Sequence, residues 1–139
     1  MSAAKVAIVG AAETTALGRI PQMSQIQLHA DAALNALADA GLTLKDIDGV
    51  ATAGESPTAV AHYLGIAPNW VDGTAVGGCS FMLHVRHAVA AIESGLCQCV
   101  LITHGESGRS NVGRAGWASS PGSLSGQFES PFGGMGPTT

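Results

Sequence analysis

The residues best able to do chemistry lie between Gly77 and Glu106. Gly77 and Gly78 form a pair without Cβ atoms, which lets backbone make a tight turn or approach a ligand closely. Cys79 follows, at or one residue before the start of a helix predicted over about residues 80–94. The helix dipole and the unpaired N–H groups of the first turn favour a thiolate there. The same N–H groups can hold an oxyanion or a thioester carbonyl. Cys79 is therefore a candidate nucleophile, with Gly77, Gly78 and Ser80 as candidate substrate-binding groups around it. The competing reading is a small buried cysteine that fills a strand-to-helix turn. His104 and Glu106 close a predicted strand, and in open α/β sheets ligands gather at the carboxyl ends of strands. Both are candidate substrate-binding residues. Arg109 joins them, because a forked guanidinium suits phosphate groups; a solvated loop arginine is the alternative there, as at Arg114.

Other groups read as structural. Cys97 and Cys99 sit two apart on a predicted strand and so share one face. A Cys-x-Cys pair can begin a metal site, but the chain's only other cysteine is Cys79 and His104 is the only close histidine. Buried strand cysteines are the expectation, and no metal site is expected. His84 and His87 stand one turn apart on the second long helix and read as exposed helix histidines. The chain contains no G-x-x-x-x-G-K-[ST] phosphate loop, no H-E-x-x-H zinc pair and no G-x-S-x-G elbow. Gly10-Ala11-Ala12-Glu13 is only a fragment of a dinucleotide fingerprint.

These groups need a frame. Lys5–Gly10 (KVAIVG) is apolar, rich in β-branched residues and ends at glycine, as a buried strand does. Ser24 and Gln27 fit a capping box opening a helix over 24–40. Ile26, Ala30, Ala33, Leu34, Leu37 and Ala38 give that helix one apolar face, and Gly41 ends it. Strands are expected near 50–53, 70–76 and 97–103, with a short helix over Thr58–Leu64. Phe81, Val85, Ala88, Val89 and Ile92 make the apolar face of the 80–94 helix. The order β-α-β-α-β-α-β predicts a layered α/β domain with a mainly parallel sheet. After Gly105 both periodicities fail. Residues 107–139 are rich in Gly, Ser and Pro with Trp117, Phe128 and Phe132 among them, and read as a long irregular loop region that packs on a part of the fold outside this chain.

Composition narrows the function classes. The chain has 139 residues, 46% of them hydrophobic and only 12% charged, against about 25% charged in an ordinary soluble domain. Such a thin polar surface points to coverage by more chain or by a partner. Net charge is −4, with six scattered Lys and Arg, so no basic stripe supports nucleic-acid binding. No apolar run reaches the roughly 20 residues of a membrane span. The opening residues lack a signal-peptide plan, so a cytoplasmic location with reduced thiols is expected.

Taken together, the segment GGCSFMLHVRHAVAAIESGLCQCVLITHGE resembles the nucleophile region of thiolases: a Gly-rich turn with Cys, a helix ending in I-x-S-G, and a V-L-I strand closing on G-E. The opening KVAIVGAAET, the DAGL and DIDGV motifs and the SPFGGMGP stretch near the end fit the same family. The resemblance covers residues 5 to about 137 and is nearest to the lipid-transfer and sterol-carrier-protein thiolase branch. It implies a thiolase-like N-terminal half domain over 1–106. It implies acyl-CoA thioesters as substrates, with no cofactor beyond the coenzyme A they carry. It also implies a homodimer with the 70–76 strand near the two-fold and, for lipid-transfer members, an OB-fold zinc-containing partner. Two departures stand out. Thiolases open a C-x-S-G or C-x-T-G motif at the nucleophile, whereas this chain has Cys79-Ser80-Phe81-Met82. Aligned without gaps, the nucleophile position falls on Gly78, one residue before Cys79. Lipid-transfer members that lack the nucleophile cleave carbon–carbon bonds by a retro-aldol route. The resemblance therefore admits acyl transfer through Cys79, a retro-aldol lyase without a covalent thiol, or a non-catalytic acyl-CoA-binding half.

Overall fold

The computed structural model describes residues 5–107 together with Ser110, Val112 and Gln127. Three helices, α1 (Gln25–Ala40), α2 (Pro57–Leu64) and α3 (Ser80–Glu93), alternate with three strands, β1 (Gly49–Ala53), β2 (Trp70–Asp72) and β3 (Val100–His104); a 3-10 turn at Leu44–Asp46 leads into β1. The sheet is parallel throughout, in the order β2-β1-β3. This is the expected α/β half domain.

Register explains the layering. Val50 sits beside Leu101, and Thr52 beside Thr103; alternation sends these four to one face. Val50 and Leu101 pack there with Ala33 and Leu37 of α1, Ala61 of α2, and Ile47 and Ile66. α3 packs on β1 and β3 as well. Every residue of β1 is buried, as in a central strand covered on both sides. Gly49, Ala51 and Ala53 supply the small side chains of the second face; a Cβ at Gly49 would meet Val100, Cys97 and the Trp70 ring.

Local signals act as read at the ends of α1. The Ser24–Gln27 capping box is formed, and Gly41 takes the left-handed conformation at φ 68°. Other expectations need correction. Lys5–Gly10 is not a strand; Ile8 is 75% exposed and Val9 63%. A strand needs a partner for its backbone, and among the described residues this segment pairs with none: both edges of β1 are taken by β2 and β3, and it lies on neither outer edge of the sheet. The segment beyond it is held along α1 instead. Asp39 accepts the Ala11 N–H, Asn35 donates to the Glu13 carbonyl, and Asp31 accepts the Thr15 N–H and hydroxyl. These three side chains recur every four residues along one helix face. β2 stops at Asp72 because the Asp72 carboxylate accepts the Thr74 N–H at 2.9 Å and its hydroxyl at 2.7 Å, making a turn. β3 starts at Val100, so Cys97 and Cys99 precede it; Cys97 is buried and Cys99 half-buried. Of the 107–139 segment nearly all lies outside the described residues. Ser110 accepts the Ile20 N–H, and the Val112 carbonyl accepts the Gln25 N–H at the start of α1.

Candidate functional site

Parallel strands bring their carboxyl ends to one edge of the sheet, and the residues singled out above collect there. Cys79 is the N-cap of α3 and is exposed. Its Sγ lies 3.9 Å from the Val76 carbonyl oxygen. Gly77 adopts φ 88°, a backbone that only glycine takes cheaply, while Gly78 does not. A Cβ at Gly78 would meet nothing within 4 Å. Phe81, in the first turn of α3, stands against His104 at the end of β3, ring centroids 6.1 Å apart. The cysteine turn and the His104–Glu106 segment therefore share one edge, with His104 and Glu106 both exposed. Arg109 and Arg114 lie outside the described residues.

Two features limit the helix start as an oxyanion site. The Ser80 N–H donates to the Gly77 carbonyl and the Met82 N–H to the Cys79 carbonyl, each at 3.0 Å. Ser80 itself is buried, and its hydroxyl is engaged twice: it donates to the Gly77 carbonyl at 2.6 Å and accepts the Val76 N–H at 2.9 Å. As placed, Ser80 closes the turn that carries Gly78 and Cys79.

The histidines depart most from expectation. His84 is fully buried rather than exposed. Its Nε2 lies 2.9 Å from the Thr74 carbonyl. A carbonyl only accepts, so Nε2 carries the hydrogen; among the described residues the buried Nδ1 meets no partner. His87 is half-exposed, and its Nδ1 lies 2.6 Å from Asp72 Oδ2. Partial burial raises the Asp72 pKa, but hydrogen bonds from the Thr74 hydroxyl, His87 and the Thr74 N–H, with His84 nearby, outweigh it and hold the carboxyl at about 2.

Sequence reasoning passed over a second network. His29 of α1 is buried, with Nδ1 2.7 Å from the Thr103 hydroxyl and Nε2 3.1 Å from the Gly105 carbonyl. Gln25, one turn earlier, donates to the Gly54 carbonyl. Together they tie α1 to the loops that leave β1 and β3. Burial lowers the His29 pKa; the bond to Gly105 opposes this and His104 adds to it. A signal was present in the sequence, since Gln25 and His29 stand four apart and so share a face with Ala33 and Leu37.

Cys97 and Cys99 are not poised for chemistry. Burial and the nearby Asp48 raise both thiol pKa values. The Asp48 carboxylate accepts the Gln98 and Cys99 N–H groups at 2.8 Å, which anchors the turn into β3. Among the described residues no group of three His, Cys, Asp or Glu is arranged to hold a metal ion. No helix among them is long and apolar enough to cross a membrane.

No family model matches the chain. Among curated proteins it is similar to the 17-hydroxy-3-oxo-4-pregnene-20-carboxyl-CoA lyase of Mycobacterium tuberculosis, 33% identical over 105 residues, covering 73% of this chain and 27% of the lyase. Among solved structures it is similar to a monomeric SCP2-thiolase-like protein type 1 of Mycobacterium smegmatis. That match has a TM-score of 0.58 and 31% identity, over 70% of this chain and 22% of that one. It is also similar to the Ltp2-ChsH2(DUF35) aldolase, with TM-score 0.61 and 27% identity over 91% of this chain and 35% of that one. This chain is a thiolase-like half domain. The proteins it is similar to are sterol-carrier-protein-thiolase-like proteins and a lyase of the same branch, and it spans about a quarter of the length of the curated lyase.

Proposed function

We propose that this thiolase-like half domain forms part of an enzyme that acts on acyl-coenzyme A thioesters and cleaves a carbon–carbon bond by a retro-aldol route. The observation that carries this reading is the turn before α3. The position that thiolases give to their nucleophile holds Gly78, with open space where a side chain would stand. On a β-hydroxyacyl thioester, a base takes the hydroxyl proton and the oxygen electrons form a ketone or aldehyde. The bond between the α and β carbons breaks, its electrons pass to the thioester enolate, and the enolate is protonated. No covalent thiol takes part. The route needs room at the α carbon, an acid–base group, and donors near the thioester oxygen. Gly77 and Gly78 give the room, and His104 and Glu106 are the acid–base groups on the same edge. Arg109 completes the set as a contact for coenzyme A phosphates. No further cofactor enters this reading. Similarity to a CoA lyase and to an aldolase supports it.

Acyl transfer through a Cys79 thioester is the second reading, favoured by the exposed thiol at the helix start. One experiment separates them. The full-length protein and its Cys79→Ala variant are given β-hydroxyacyl-CoA and acyl-CoA substrates, with products and intact protein mass followed together. The lyase reading expects a carbonyl product and a shortened acyl-CoA, most activity retained in Cys79→Ala, and no acyl adduct. An acyl adduct lost with Cys79, along with all turnover, would establish transfer instead; no turnover of either substrate would leave a non-catalytic acyl-CoA-binding half.

Assembly belongs to the same proposal. The outer edge of β2 is unpaired among the described residues, with Val71 exposed beside it, which supports a homodimer joined near 70–76. The M. smegmatis relative is described as monomeric, so light scattering on the full-length protein decides. The paired name Ltp2-ChsH2(DUF35) supports a partner protein as well; an OB-fold zinc-containing protein that helps hold the acyl-CoA is our proposal, in a cytoplasmic setting.

A further inference from the structure

Three polar side chains of α3 point back at the loop that precedes it. Ser80, His84 and His87 are spaced four and three apart, so they line one face of the helix. Ser80 holds Val76 and Gly77, His84 holds the Thr74 carbonyl, and His87 holds Asp72. Asp72 in turn holds the Thr74 N–H and hydroxyl. The loop from Asp72 to Gly77 is thus tethered at alternate residues, down to the glycine just before Gly78 and Cys79.

His84 is the informative member. It is fully buried, yet only one of its two ring nitrogens has a partner among the described residues. A buried polar atom without a partner is destabilising, and leucine would fill similar space without one. What histidine adds here is the bond to Thr74. We propose that His84 and His87 are positioning residues, kept on α3 to fix the loop so that Gly78 and Cys79 stand in one place at the substrate. Displacement of a reacting group by about 1 Å can cost on the order of 100-fold in rate, so a tether of this kind acts on turnover far more than on folding. The role rests on the acyl-CoA reading above, but the tether itself is measurable without it.

The test uses the full-length protein with His84→Leu, His84→Gln and His87→Gln. Hydrogen exchange followed by mass spectrometry reports the 73–79 loop, with α1 as internal control; thermal melting reports stability; steady-state kinetics on the CoA thioester reports function. His84→Leu is expected to melt at or above the wild-type temperature. Its loop should exchange at least ~10-fold faster while α1 is unchanged, and kcat should fall at least ~10-fold with little change in KM. Gln at position 84 keeps an N–H for Thr74 and is expected to recover part of both losses. If His84→Leu does not fold, the half-exposed His87→Gln carries the same loop and kcat comparison. Unchanged loop exchange in the folded variants would overturn the tether. A loosened loop with unchanged kcat in an enzyme that turns over CoA thioesters would overturn the positioning role. Absence of turnover in the wild type counts against the functional reading instead, and the exchange result still decides the tether.

Discussion

Gly77 and Gly78 are adjacent and chemically identical, yet the backbone asks different things of them. Gly77 sits at φ 88°, while a Cβ at Gly78 would stand in open space with no positive φ. Gly77→Ala should therefore cost about 1–2 kcal/mol in urea denaturation. Gly78→Ala should leave the midpoint nearly unchanged and, on the proposed lyase reading, still lower turnover, because a methyl group would then enter the space that reading gives to the substrate. Equal stability losses in the two variants would contradict this difference. The cysteines separate in the same way. Cys79 is exposed, Cys97 is buried, and Cys97 and Cys99 both have thiol pKa values raised by burial and by Asp48. Brief iodoacetamide treatment of the native protein at neutral pH should label Cys79 first, as read by peptide mass spectrometry. Labelling of Cys97 at a comparable rate would show that its surroundings are open.

At the scale of elements, the three helices, the strands at β1, β2 and β3 and their parallel direction were legible from apolar spacing and from caps; the buried face of each long helix was legible only in part. On α1, Ala30, Ala33 and Leu37 of the expected face are buried, but Leu34 is 50% exposed and Ala38 is exposed, and the buried stripe takes in Gln25, Leu28 and His29 instead. On α3 the expected face began at Phe81, whereas the buried stripe runs through Ser80, His84, Ala88 and Ala91. Both stripes open with a polar residue and then a histidine, four apart. Each of these side chains meets a backbone carbonyl of a loop at the carboxyl edge of the sheet. Hydropathy counts such residues as solvent-facing because it cannot see the carbonyl that receives them. The placement of Cys79, His104 and Glu106 at one edge was legible because it follows from chain order in a parallel sheet, whereas the side chains that brace that edge were not. His29 makes this measurable. Its pKa is lowered by burial from 6.5, so the unfolded chain binds its proton more readily. Stability from this group is complete above about pH 6.5 and is lost as pH falls from there towards the lowered native value. The stability gap between wild type and His29→Gln should therefore narrow when urea midpoints are compared at pH 7.5 and pH 5. His104 remains in both chains, so the difference isolates His29; a gap that does not change with pH would show that burial does not tune this ring.

On the whole molecule, two groups of exposed apolar side chains bear on assembly. Val76, Phe81 and Met82 surround the cysteine turn, while Ile8 and Val9 extend from the segment running to α1. With only 12% charged residues overall, these regions have few neighbouring charges to keep them apart in solution, and exposed apolar surface of this kind marks contact sites. The two regions differ in backbone. Around Cys79 the chain is turn and helix, whereas residues 5–10 are irregular and outside the sheet. An exposed apolar segment outside the sheet, rich in β-branched residues, can pair with another strand, so residues 5–10 should dominate self-association of the 139-residue chain expressed alone. Val9→Lys should shift that chain towards monomer in sedimentation velocity and leave its melting temperature within a degree or two, because Val9 is 63% exposed and has little packing to lose. In the full-length protein, a Val9 covered by a neighbouring strand gives the opposite result. Burying a valine contributes about 1.5–3 kcal/mol, so Val9→Lys should then lower the melting temperature by several degrees. An equally small effect in both contexts would show that residues 5–10 remain uncovered, and that the low surface charge serves a different contact.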